Sequence, residues 1–126
     1  MTTRCLGVWV AAGLAALVSS AALAEGDPEQ GAKVFNKCKA CHVADEEKNR
    51  VGPHLVGIVG RPAASVESYK YSTAMQQSGI VWEEEILDQY LASPKDVVPG
   101  GKMAFAGLRE EEDRADVIAY LKSAAQ

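Results

Sequence analysis

The chain has 126 residues, of which 48% are hydrophobic, and its formal net charge is −4. That length bounds one small domain with a modest core. The acidic balance excludes general nucleic-acid binding, which needs a basic footprint.

The amino-terminal stretch reads as a secretory leader. The amino terminus and Arg4 supply a thin positive region, Leu6 to Val18 is apolar, and Ala22-Leu23-Ala24 forms a small-x-small cleavage site. The expectation is a signal peptide over residues 1–24, cleaved after Ala24, and a single domain over 25–126 delivered to the periplasm. An uncleaved membrane anchor is the alternative reading. The apolar run is short against the ~20 residues of a spanning helix, and domain signals begin at Asp27 with no linker between. Cys5 leaves with the leader. The two remaining cysteines stand in one motif, so no structural disulfide is available to the mature chain.

Asp27-Pro28-Glu29-Gln30 predicts a helix start, with Asp27 as N-cap, Pro28 at the first helical position and Gln30 completing a capping box. Gly31, Phe35 and Cys38 follow at helical spacing. Residues 43–68 are polar and rich in glycine and proline, which predicts mostly loop. A short helix is expected over Tyr69 to Gln77. A longer one is expected over Glu83 to Ala92, where Ile86, Leu87, Tyr90 and Leu91 share a face and Pro94 ends the run. Residues 93–107 read as loop. Glu110 to Ser123 is the clearest helix, with Arg114, Val117, Ile118 and Leu121 recurring at helical intervals. There is no β alternation and no repeat. The expected fold class is all-α, about three to five helices with long loops suited to wrapping a prosthetic group.

Cys38-Lys39-Ala40-Cys41-His42 is a C-x-x-C-H sequence, the attachment signature of a c-type haem. Two thiols a turn apart can each add across a haem vinyl group, and the adjacent imidazole then faces the iron. This makes Cys38 and Cys41 thioether anchors of one covalent haem c and His42 the proximal ligand. Other uses of the motif are a thioredoxin-like redox pair, which wants a βαβ context, and a structural zinc site, which wants four ligands. His54 is the only other histidine.

Haem iron held by His and Met belongs to electron-carrying cytochromes c. Met75 lies in a helix-compatible run and reads as core filler. Met103 lies in Pro99-Gly100-Gly101-Lys102-Met103-Ala104-Phe105, a loop with no helical stripe, and is the candidate for the other side of the iron. His54 is its rival, only twelve positions beyond His42 and directly after Gly52-Pro53.

With these residues assembled, the chain resembles a class I cytochrome c, of the compact mitochondrial type and its small bacterial relatives. The resemblance runs from Asp27 to Lys122. Beyond the haem motif it includes Gly52-Pro53-His54-Leu55, Gly60-Arg61, Tyr71-Ser72, Gly79-Ile80-Val81-Trp82, Tyr90-Leu91 before Pro94, Pro99-Gly100 with Lys102-Met103, and Val117-Ile118-Ala119-Tyr120-Leu121. It implies a carbonyl of Pro53 accepting from His42 Nδ1. It implies Arg61, Tyr71 and Trp82 as donors around a haem propionate, Tyr90 near the Met103 sulfur, and Gly31 and Phe35 meeting Tyr120 and Leu121 where the first and last helices cross. Two positions depart from the family. A polar residue is common where Met75 stands and a threonine where Gly101 stands, both beside the methionine.

The function this implies is electron carriage by a non-enzyme. The partners would be a membrane quinol-oxidising complex on one side and a terminal oxidase, reductase or reaction centre on the other. The protein would be a monomer touching the membrane surface only peripherally. Lys33, Lys37, Lys39, Lys95 and Lys102 are placed by the resemblance around the haem edge, where they would steer an acidic partner. A different class of function, haem peroxidase or small-ligand sensor, would need a labile sixth iron position. A third, a zinc or interaction module, would fold without haem.

Overall fold

The computed structural model describes residues 25–125; the expected leader and its cleavage site lie outside the described residues. The first helix, α1, spans Pro28–Val34. Its start follows the expected signals in part. The Asp27 carboxylate accepts from the amides of Glu29 and Gln30, and proline occupies the first turn. The capping box does not close. The Gln30 side chain accepts from Lys33 Nζ instead, because the Asp27 amide it would have reached donates to Asp116 Oδ1 at 2.7 Å.

After Val34 the helix tightens into a 3-10 turn, Phe35–Lys37. Two further bonds, from the amides of Cys41 and His42 to the Cys38 carbonyl, coil the haem motif back on itself. Residues 43–68 are irregular, as their glycines and prolines require.

The second helix, α2, spans only Thr73–Gln77, so the expectation of a helix from Tyr69 is corrected. Ser72 caps it by accepting from the Met75 amide, and a capped start leaves Tyr69 and Tyr71 in the loop ahead, their side chains free for other segments. Next come α3, Glu84–Ala92, and a four-residue helix α4, Pro94–Val97. The latter corrects the reading of 93–107 as loop throughout. Pro94 ends one helix and opens the next, since its fixed φ and missing N–H suit a first helical position. The last helix, α5, spans Glu111–Ala124 with Glu111, Glu112 and Asp113 in its first turn, where negative charge favours the helix dipole.

The all-α class is what the described residues show: five α-helices, the 3-10 turn and one isolated antiparallel bridge between Pro62 and Val81. That bridge matters for the site. Trp82 N donates to the Arg61 carbonyl and Gly60 N to the Trp82 carbonyl, so Arg61 and Trp82 are held on facing segments.

The principal packing is α1 on α5. A β-carbon on Gly31 would run into the Asp116 carbonyl and the Tyr120 side chain, so glycine permits the approach. The Phe35 and Tyr120 rings then meet at 5.2 Å. Val117 is 1% exposed and forms, with Ile118 and Leu121, the buried stripe read from the sequence. Arg114, the stripe's polar member, pairs with Asp88 of α3 at 2.7 Å. It also donates to the carbonyls of Leu108 and Arg109, pinning the entry to α5.

Candidate haem site

The helices and loops enclose a largely apolar cavity of about 500 Å³, lined by residues from Phe35 to Leu121. All nine residues named from the sequence for haem or iron line it: Cys38, Cys41, His42, Pro53, Arg61, Tyr71, Trp82, Tyr90 and Met103. His54 does not line it. Its Nδ1 accepts from the Val56 amide instead.

His42 is oriented by its neighbours. Its Nδ1 lies 2.7 Å from the Pro53 carbonyl oxygen. A carbonyl only accepts, so Nδ1 carries the proton and Nε2 keeps its lone pair. Burial pushes the imidazole below the usual histidine range, with the Pro53 carbonyl opposing and the Arg61 charge reinforcing. The ring is therefore neutral at pH 7, the form that ligates metals. Gly52 packs directly against the ring, since a β-carbon there would collide with its atoms.

Cys38 and Cys41 both line the cavity and are not joined to each other. Burial pushes the Cys38 thiol up, against a smaller downward pull from Lys37. A redox pair needs the opposite, a lowered thiol, and the motif sits in a helix-to-loop context with no βαβ unit. Among the described residues no three His, Cys, Asp or Glu side chains converge into a metal-holding group, so the zinc reading has no ligand set.

Met103 is half-buried in its loop, and its sulfur lies 3.9 Å from the Tyr90 hydroxyl. Burial raises the Tyr90 phenol, so the hydroxyl stays protonated and donates. The Tyr90 ring in turn packs on Trp82 at 4.8 Å. Met75 packs against the core from α2 and also lines the cavity.

Arg61 is half-buried, not a solvated loop charge. Nη1 donates to the Val56 carbonyl and Nη2 to the His54 carbonyl, while Nε is buried without a partner. Tyr71 Oη accepts from the Val66 amide, which leaves its own proton to give. The residues present fit haem c on four counts. The cavity is apolar and lies in the ligand-binding size range of roughly 300–1,000 Å³. It carries two thiols at the attachment spacing and two soft-to-intermediate iron ligands, an imidazole and a thioether. Arg61 and Tyr71 hold unspent donors for an acidic group.

Three residues carry little local signal of their place. A glycine ahead of the proline that faces His42 is the place for close packing, and Gly52 takes it. Tyr69 stands in a run that reads as helix. Asp116 sits on the inner face of α5 with 7% exposure, and nothing local marks it as the partner of Asp27.

Comparison with known proteins agrees with this geometry. The cytochrome c family profile matches residues 28–125. Cytochrome c2 of Rhodomicrobium vannielii is 50% identical over 110 residues, covering 86% of this chain and 88% of that protein. Cytochrome c-type cyt cy of Rhodobacter capsulatus is 58% identical over 99 residues, 78% of this chain; the chain spans 49% of that relative's length. The solved structure of cytochrome cH from Methylobacterium extorquens superposes with a TM-score of 0.74 at 46% identity, covering 78% of this chain and 99% of that one. The chain belongs to the cytochrome c family. It is an electron carrier built around covalent haem c, with Cys38 and Cys41 at the spacing of the attachment motif.

Proposed function

We propose that His42 and Met103 would hold the iron of one haem c anchored through Cys38 and Cys41, and that the protein shuttles single electrons between membrane redox complexes in the periplasm. The observation that carries this reading is the single apolar cavity shared by the two thiols, the His42 ring and the Met103 thioether. The haem supplies, when bound, the one-electron change of its iron.

The chain's own residues then set the conditions. The Pro53 carbonyl holds the His42 ring in one orientation and raises the basicity of Nε2. Tyr90 donates toward the Met103 sulfur, and a thioether ligand favours a relatively high potential. Arg61, Tyr71 and Trp82 serve as propionate donors. Apolar walls keep water from rearranging as the charge changes. The donor is a quinol-oxidising complex and the acceptor a terminal oxidase, reductase or reaction centre. The carrier is a monomer that meets the membrane surface only peripherally, after a leader over residues 1–24 is cleaved following Ala24. Among the described residues no helix is long and apolar enough to cross a membrane.

Of the five lysines expected at the edge, Lys37 and Lys102 line the cavity. Lys37 lies 3.7 Å from Asp113 with both side chains well exposed, a pair too wet to hold the charge away from a partner. Steering of an acidic partner through these lysines weakens with salt.

The test is the visible absorption of protein matured in a host that attaches haem, oxidised and reduced, for wild type and Met103→Ala. Reduced c-type bands with a weak red sulfur-to-iron band that disappears in the variant support the reading. Haem bands without the sulfur band in wild type, with an iron that readily takes cyanide or carbon monoxide, overturn Met103 as ligand.

A further inference from the structure

The Met103 loop is thinly tethered. It runs between buried Val98 and buried Leu108, and Leu108 is fastened to the Leu91 carbonyl at 2.7 Å. Among the described residues, the backbone hydrogen bonds of 99–106 return only to the loop itself or its stem, from Gly101 to Val98 and from Phe105 to Met103. Gly100 adds a left-handed kink at φ +84°. Among the described residues, two side-chain bonds join this stretch to other segments. One is the long contact from Tyr90 to the Met103 sulfur. The other is made by Lys102, whose Nζ donates to the Lys70 carbonyl.

Lys102 is exposed, but its ammonium is not idle. It sits 4.5 Å over the centre of the Tyr69 ring, a distance at which ring and cation attract. Tyr69 is itself braced, edge-on to Tyr71 at 4.9 Å. Its hydroxyl donates to the Val51 carbonyl at 2.9 Å. Val51 is 76% exposed and lines the cavity, so this contact lies at the rim. The next residue, Gly52, is the one packed against the His42 ring, and its amide donates to the Cys41 carbonyl. A continuous chain of contacts therefore runs Met103–Lys102–Tyr69–Val51–Gly52–His42. It joins the segment carrying one candidate ligand to the segment that seats the other.

We propose that Tyr69 and Lys102 are positioning residues that act as one clasp across the cavity rim, holding the Met103 loop closed so that its sulfur stays in place against competing ligands. This rests on the reading of Met103 as an iron ligand. The ring supplies a seat for the ammonium, the hydroxyl ties that seat to the His42 side, and the Lys70 carbonyl receives one ammonium proton. Lys102 also stands at the edge offered to a partner, so the test uses a neutral small molecule whose approach its charge does not steer.

The experiment titrates imidazole into oxidised holoprotein and follows loss of the red sulfur-to-iron band, for wild type, Tyr69→Phe, Tyr69→Leu, Lys102→Arg, Lys102→Ala and the Tyr69→Leu/Lys102→Ala pair. Lys102→Ala and Tyr69→Leu are each expected to tighten apparent imidazole binding about fivefold. The pair should match the stronger single variant, because one clasp opens only once. Tyr69→Phe keeps the seat and loses the tie, so it falls between wild type and Tyr69→Leu. Lys102→Arg keeps a cation over the ring and stays near wild type. Unfolding followed by helical circular dichroism separates loop release from loss of fold, and the near-isosteric Tyr69→Phe carries the test if Tyr69→Leu does not fold.

Lys102→Ala or Tyr69→Leu within about twofold of wild type, or effects that multiply in the pair, overturn the clasp. A wild type without the sulfur band, or a Met103→Ala that retains it, overturns the ligand reading instead.

Discussion

Gly52 has no room for a side chain, and the reason is the His42 ring against it. Gly52→Ala is expected to push the ring off the Pro53 carbonyl, lower the yield of haem-attached protein and cost the holoprotein about 1–3 kcal/mol, the usual range for overpacking; haem content by mass and guanidinium unfolding read both. His54 supports the same loop differently. Burial, then the Arg61 charge, lowers its pKa, with Glu47 pulling weakly the other way, and its unprotonated Nδ1 accepts from Val56 N at 3.3 Å. The folded chain therefore prefers neutral His54. The unfolded chain takes up the proton first, near pH 6.5, so the contribution is full above that pH and is lost as pH falls toward the lower folded value. His54→Asn offers an oxygen in place of Nδ1 and does not titrate. Its unfolding free energy should fall less than wild type's between about pH 7 and 5, measured by denaturant melts across that range.

At the scale of elements, the closure of α1 onto α5 rests on tight backbone approach and one buried acceptor. Asp116 is 7% exposed and receives the Asp27 amide across 89 positions of sequence. Asp116→Ala leaves that amide without its partner and is expected to destabilise the holoprotein by about 1–3 kcal/mol. Its haem spectrum should stay unchanged, since Asp116 is not among the cavity residues; thermal unfolding beside a visible spectrum tests both halves. Helices α3 and α5 were legible because each carries a repeating apolar face long enough to register. Helices α2 and α4 were not. Five- and four-residue segments hold little more than one turn, too short for a period, and are placed by the Ser72 cap and by Pro94.

For the whole molecule, the haem is expected to complete the core. Half-buried Leu55, Met75, Leu91 and Phe105 line the cavity, and covering that apolar lining would stabilise a domain whose whole stability is about 5–15 kcal/mol. A chain that cannot attach haem, Cys38→Ser/Cys41→Ser expressed without attachment machinery, should lack a cooperative unfolding transition and show weak far-ultraviolet circular dichroism. A native-like melt from that chain would mean that the helices pack without the group. The haem is thus part of the core as well as the redox centre, which is how a domain of this size reaches stability without a disulfide.

The local chemistry of this protein was written in the sequence. The two thiols and the imidazole fall within five consecutive residues, where spacing alone decides what they can grip, and the loop methionine stood out because no helical face could claim it. The caps and stripes of the longer helices are equally local. The tertiary structure decided the rest: that Arg61 spends two nitrogens on the carbonyls of Val56 and His54 and keeps a third unpaired, that Asp116 takes the Asp27 amide, and that Tyr69 bridges Val51 and Lys102. Each of these joins segments that no periodicity relates. A donor's partner is chosen by which acceptor folding leaves nearby and out of water, and that choice exists only after α1 has closed on α5 and the loops have wrapped the cavity.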